Sequence, residues 1–128
     1  MNIEKLREYC LSKKGAEECF PFDQTTLVFK VKNKMFALTD IDEIPLRVNL
    51  KCDAEIIEDL REQYPCVIPG YHMSKKHWNT VIIDNSVSDK LIFKWIDDSY
   101  NLVCNSLSNK LKSEIEKNGS ITDIIGKF

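Results

Sequence analysis

Near the start of the chain, Ile3, Leu6, Tyr9 and Cys10 recur at three- and four-residue intervals, the spacing that gathers side chains on one face of a helix. With Asn2 as a cap and Gly15 as a stop, the pattern predicts a helix from Asn2 to about Lys14. Pro21 breaks the helical pattern inside FPFD, and Phe20 and Phe22 are expected to anchor a turn there. The period then shortens. TTLVFKV and MFALT are rich in β-branched and aromatic residues around a polar Lys32-Asn33-Lys34 tip, which predicts a β-hairpin over 25–39. From Leu46 to Lys51, Leu46, Val48 and Leu50 alternate with Arg47, Asn49 and Lys51, as in a half-buried strand.

A short acidic helix follows, with Asp53 as its cap, Ile56, Ile57 and Leu60 facing inward, and an end before Pro65. Pro69-Gly70 marks a turn, and HWNTVIID reads as another strand. Leu91, Ile92, Trp95, Ile96, Leu102, Val103, Leu107 and Leu111 then fall at helical spacings, with a break expected near Asp98-Ser99 and a stop at Gly119. The order helix, three strands, helix, strand, helix predicts an α+β two-layer sandwich, a mainly antiparallel sheet with helices on one face. No repeat or linker-like stretch divides the chain, so residues 1–118 are expected to form one domain and 119–128 a tail.

Composition fits that picture: 128 residues, 43% hydrophobic and 30% charged, suffice for one core without disulfides or metals. Five cysteines, an odd number with no CxxC pair, match neither a disulfide framework nor a zinc site. The first ten residues lack the basic and apolar regions of a secretory signal, and no apolar run approaches a membrane span. The expectation is a reduced, cytoplasmic protein, monomeric or weakly dimeric, without membrane contact. The net charge of −2 argues against a strongly basic nucleic-acid binder but hides an uneven distribution. Residues 24–52 and 67–84 carry seven lysines and arginines against four acids, a net of +3, so the remainder carries −5. The strands and their loops lean basic. Lysines at two tips suit phosphate contacts, although lysine on exposed strand edges also blocks aggregation, and charge alone favours that plainer role.

The stretch PGYHMSKKHWNTVIID concentrates candidate chemistry. His72 and His77 are five apart with no acid completing a motif such as HExxH, which argues against a metal site. Cys66 and His72 lack any oxyanion-hole motif that would support a thiol nucleophile. On a strand, Trp78, Thr80 and Ile82 share one face and His77, Asn79, Val81 and Ile83 the other. Trp78 is expected to pack under the last helix, leaving His77 and Asn79 outward. Phe20, Phe22, Trp78 and Trp95 are all expected to be structural.

In order and spacing, CFPFD, TLVFKV with KMFALT, Leu50-Lys51, PGYHMSKKHWNTV and SYNLV resemble the MmcQ/YjbR family, whose fold is similar to that of CyaY, the bacterial frataxin. The resemblance covers nearly the whole chain and implies DNA binding through a double-wing motif of β-hairpins. On this sequence the wings correspond to the Lys30 to Lys34 hairpin and the loop around Lys75 and Lys76. Lys32-Asn33 stands in place of glycines, Ser74 in place of a frequent asparagine, and Ser108-Asn109 in place of a common Pro-Lys, which removes a lysine.

The leading expectation is therefore a non-enzymatic module that binds double-stranded DNA weakly and with little sequence preference. Lys30, Lys32, Lys34, Lys75, Lys76 and His77 would contact phosphates. The alternative is a protein-interaction module that presents Glu4, Glu8, Glu17 and Glu18 to a cation or a basic partner, as a frataxin-like acidic ridge would, with acids too sparse to favour iron. No cofactor is expected, and no residue is assigned as a metal ligand. No paired acids, phosphate loop or catalytic triad supports an enzyme.

Overall fold

The computed structural model describes the backbone of residues 1–126 and the side chains of residues 1–117. Helix α1 (Ile3–Leu11) starts where Asn2 accepts the Lys5 N–H at 2.9 Å and buries Leu6 and Cys10, one turn apart. It ends one turn earlier than the periodicity predicts. Gly15, at φ 73°, instead turns the chain into β1 (Ala16–Cys19).

Strands β2 (Thr26–Val31) and β3 (Lys34–Asp40) form the expected hairpin. Lys32 (φ 49°) and Asn33 (φ 65°) make a two-residue tip of left-handed backbone, without the glycine that such turns favour. The register passes from Phe29 opposite Ala37 to Lys30 opposite Met35, so Phe36 is the extra residue of a β-bulge. Its ring is fully buried, edge-on to Tyr100 at 5.3 Å. Then come β4 (Arg47–Lys51), α2 (Ile57–Gln63), β5 (Val67–Pro69) and β6 (Trp78–Ile82). The sheet runs β1-β2-β3-β4-β6-β5, antiparallel at each junction.

Helix α3 (Asp89–Asn105) opens at Ser88, whose Oγ accepts the Leu91 N–H, and packs Ile92, Trp95, Ile96 and Val103 against the sheet. Ser99, fully buried, donates to the Phe36 carbonyl at 2.6 Å and accepts the Lys51 N–H at 2.8 Å, tying the helix to two strands. This is the predicted α+β two-layer sandwich, with the main core between helices and sheet.

Five details differ from expectation. Strands β1 and β5 are added at the two edges, where Ala16–Cys19, of weak strand character, and Val67–Pro69, only three residues long, pair with a neighbour already in place. The helical break falls at residues 106–108 rather than Asp98-Ser99, because Ser99 is held in the core. There Ser106 Oγ bonds back to the Val103 carbonyl, and α4 (Asn109–Gly126) begins with Ser108 Oγ accepting the Leu111 N–H. Gly119 does not stop α4, which continues to Gly126; residues 127–128 of the expected tail lie outside the described residues. Asp53 caps the turn before α2, accepting the Glu55 N–H, while Ile56 stands at the helix start.

The fifth concerns the sheet faces. Trp78 is buried, but on the face away from the helices, in a second cluster with Val28, Leu38, Met35 and Met73. Asn79 therefore faces inward and is 3% exposed. Phe20 and Phe22 are 47% and 65% exposed, so they are not core residues. Asp23, accepting the Thr25 and Thr26 N–H groups, holds their turn instead. Phe22→Ala should accordingly change the unfolding free energy by no more than about 0.5 kcal/mol in a denaturant titration; a loss near that of a buried ring would contradict this placement.

Candidate nucleic-acid interface

The sheet register decides which lysines can act together. The β2-β3 tip, the end of β4 and the start of β6 lie at one end of the sheet, since Lys51 pairs with Trp78 and Leu50 with Ala37. The tip and the 74–77 turn are thus two or three strand spacings apart, about 10–14 Å.

Six residues predicted from sequence occupy this end but not equivalently. Lys75, Lys76 and His77 are exposed on the turn before β6. Lys30 is half-buried on the face away from the helices, across from Met35 and Glu17. Lys34 is exposed and leans to the helical layer, its Nζ donating to Ser106 Oγ at 3.4 Å. Lys32 is ion-paired with Glu114 on α4 at 2.9 Å, and that lysine holds the Glu114 carboxyl below its ordinary value. The hairpin lysines thus divide between the two sides of the sheet, and one is already neutralised.

Two residues are missing from the sequence-based set. Lys51 ends β4 between the two tips and, like Lys30, Lys34, Lys75 and Lys76, has no acidic partner within ion-pair distance among the described residues. Its strand was predicted; its pairing with Trp78 is a long-range fact that periodicity does not carry. Arg61 of α2 is the support for the loop. Its Nε donates to Asn79 Oδ1 at 2.7 Å and its Nη2 to the carbonyls of Trp78, at 3.2 Å, and Lys75. The Cys52 N–H donates to the His77 carbonyl at 2.8 Å, and the Trp78 N–H to the Ser74 carbonyl at 2.9 Å. The basic turn is therefore pinned at both ends while its side chains stay free.

The rest of the sheet face has a different character. A groove of about 570 Å³ runs over Met35, Leu38, Asn49 and Thr80, with Phe22 and Tyr71 exposed along it and Asp40, Asp42 and Glu43 at its far end. Those carboxylates repel phosphate, so the basic footprint is confined to the tip end. His72 lies in this groove, whereas Cys66 is buried on the helical side, which separates the pair considered as a thiol and its base. The acids of the alternative reading are also divided. Glu18 is paired with Arg7 at 2.7 Å, which holds the Glu18 carboxyl below its ordinary value, and Glu17 faces the sheet partner Lys30. Only Glu4 and Glu8 are left together on the exposed side of α1. Among the described residues, no group of three or more His, Cys, Asp or Glu is placed to hold a metal, and no helix is long and apolar enough to cross a membrane. All five cysteines are free thiols, and burial pushes Cys10 up to about 12.

Comparison with known proteins follows the same outline. The YjbR family model matches residues 11–102. The uncharacterized protein YjbR of Escherichia coli K12 is 37% identical over 107 residues, covering 84% of this chain and 91% of the relative. The uncharacterized protein YbdF of Escherichia coli O157:H7 is 35% identical over 108 residues, covering 84% and 88%. Among solved structures, the Deinococcus radiodurans protein DR2400, with a DUF419 domain, superimposes with a TM-score of 0.85 at 41% identity over 90% of this chain and 88% of that one. A Pseudomonas syringae protein gives 0.70 at 27% identity over 80% and 99%. The chain belongs to the YjbR family.

Proposed function

We propose that the protein is a non-enzymatic module that binds duplex DNA weakly and without sequence preference, through the basic end of its sheet. The observation that supports this most is the register that brings the hairpin tip, Lys51 and the 74–77 turn to one edge. A separation of about 10–14 Å between the two tips compares with the ~12 Å width of the major groove, so each tip can rest on phosphates of a different strand. Lysine ammonium groups are point charges without the planar fork that reads base edges, which fits backbone contact rather than sequence readout. Lys30, Lys34, Lys51, Lys75 and Lys76 carry the contacts, with His77 beside them.

The test is a fluorescence-anisotropy titration of a labelled duplex between ~50 and 200 mM salt. Log affinity should fall against log salt with a slope of about −0.9 per contact, reaching −4.5 for five lysines. Replacing Lys30, Lys34, Lys75 and Lys76 together by glutamine should abolish measurable binding and leave the melting temperature nearly unchanged. Lys32→Gln should leave the slope within about 0.3 of the parent, since Glu114 already holds that charge. A parent that does not bind at ~50 mM salt, or a quadruple variant that binds equally well, would refute the reading.

A further inference from the structure

Between α2 and α3 the helical layer does not close over the sheet. A cleft of about 400 Å³ opens there, floored by Leu50, Val67, Val81, Trp95 and Leu102. That volume lies in the range of roughly 300–1,000 Å³ usual for small-molecule sites. The short α2 is the reason, because its seven residues send only Ile57 into the buried core and leave Ile56 46% exposed at the cleft.

One polar side chain lines this apolar floor. Asn79, 3% exposed, uses its Oδ1 to accept from Arg61 at 2.7 Å, but its Nδ2 has a single acceptor, the Ile57 carbonyl, at 3.5 Å. An amide nitrogen carries two N–H donors, so at least one is without a protein acceptor in a buried site, where an unmade hydrogen bond is costly. At the mouth, Lys94 and Asp98 are 2.8 Å apart and neutralise each other. The cleft therefore offers a free donor, an indole and aliphatic walls, and its lysines, Lys51 and Lys94, are matched in number by Asp53 and Asp98, so the lining carries no net charge to favour an ionic ligand.

We infer that this cleft is a binding site for a small, uncharged, mainly apolar molecule with one hydrogen-bond acceptor, which the Asn79 amide receives. The inference does not rest on the DNA-binding reading, since the cleft lies on the helical side of the sheet and, of the lysines assigned to phosphate contacts, only Lys51 reaches its lining.

The probe is acetophenone, a flat ring with one carbonyl, titrated into the ¹⁵N-labelled protein. Saturable shifts are expected at the Asn79 side-chain amide and at Leu50, Val67 and Val81, with quenching of Trp95 fluorescence. Ethylbenzene, which lacks the acceptor, should bind about fivefold more weakly, as loss of one neutral hydrogen bond implies. Benzoate should produce no saturable shift at these residues. Leu102→Trp fills the cleft from a half-buried position and should weaken acetophenone at least ~10-fold without lowering the melting temperature. The ligand comparison on the parent protein stands even if that variant fails to fold. Absence of saturable shifts with acetophenone, equal binding of ethylbenzene, or preference for benzoate would each overturn the assignment.

Discussion

Trp78→Ala should lower the unfolding free energy by about 3–4 kcal/mol, although this indole sits on the face of the sheet that no helix covers. The residue is only 9% exposed and forms the centre of a cluster with Val28, Leu38, Met35 and Met73. Truncation leaves a cavity that the sheet on one side and the loop on the other close only in part. The neighbouring backbone is tight as well. Gly70 donates its N–H to the Trp78 carbonyl at 3.0 Å, and a Cβ at position 70 would lie 2.8 Å from that oxygen. The loop from Gly70 to His77 is therefore built around Trp78, and equilibrium denaturation of the alanine variant measures how far the second cluster is a true core. A loss below about 1 kcal/mol would mean that it is not.

The second large effect is expected at Arg61. Arg61→Met keeps the aliphatic stem but leaves Asn79 Oδ1 and the Lys75 carbonyl without their donor, at a cost of about 2–3 kcal/mol. Because the same guanidinium pins the 74–77 turn, hydrogen exchange at the amides of His77 and Trp78 should accelerate more than at the centre of β4. Arg7→Met offers the contrast. Its pair with Glu18 is exposed on the surface and screened by solvent, so the loss should be clearly smaller than at Arg61. Equal losses from the two substitutions would show that Arg61 supports nothing beyond an ordinary surface contact.

What could be read in the sequence was what depends on neighbours along the chain. The Asn2 cap, the hairpin about Lys32-Asn33, the alternation of β4 and the face of α3 all rest on local spacing, and all appear in the structure. Two of the misreadings share one cause, which is pairing across the sheet. Glu17 and Glu18 have little intrinsic strand preference, yet they lie in β1 because β2 offers a free edge. The alternation of β6 correctly separated Trp78 from Asn79 but held no sign of which face meets the helices, so the inward and outward sets were exchanged. Phe20 and Phe22 look like core residues by composition, and the side chain that fixes their turn is Asp23.

At the candidate interface the lysines were visible as residues, but their availability was not. Glu114, on a helix 82 positions away, takes Lys32 out of the free set, and Lys51 joins the patch only through its register with Trp78. Arg61 was masked by the acids around it, since 53–63 reads as a solvated acidic helix with a single base. Its role appears only when Asn79 is found facing inward.

The most direct test of the account is a map of duplex DNA onto the ¹⁵N-labelled protein at low salt. Shifts should concentrate at residues 30–34, at Lys51 and at 74–78, and fade together as salt is raised, while α1, α2 and the Asp40 to Glu43 end of the sheet stay still. Shifts centred on α1 or α2, or none at a duplex excess that saturates the parent in anisotropy, would contradict it.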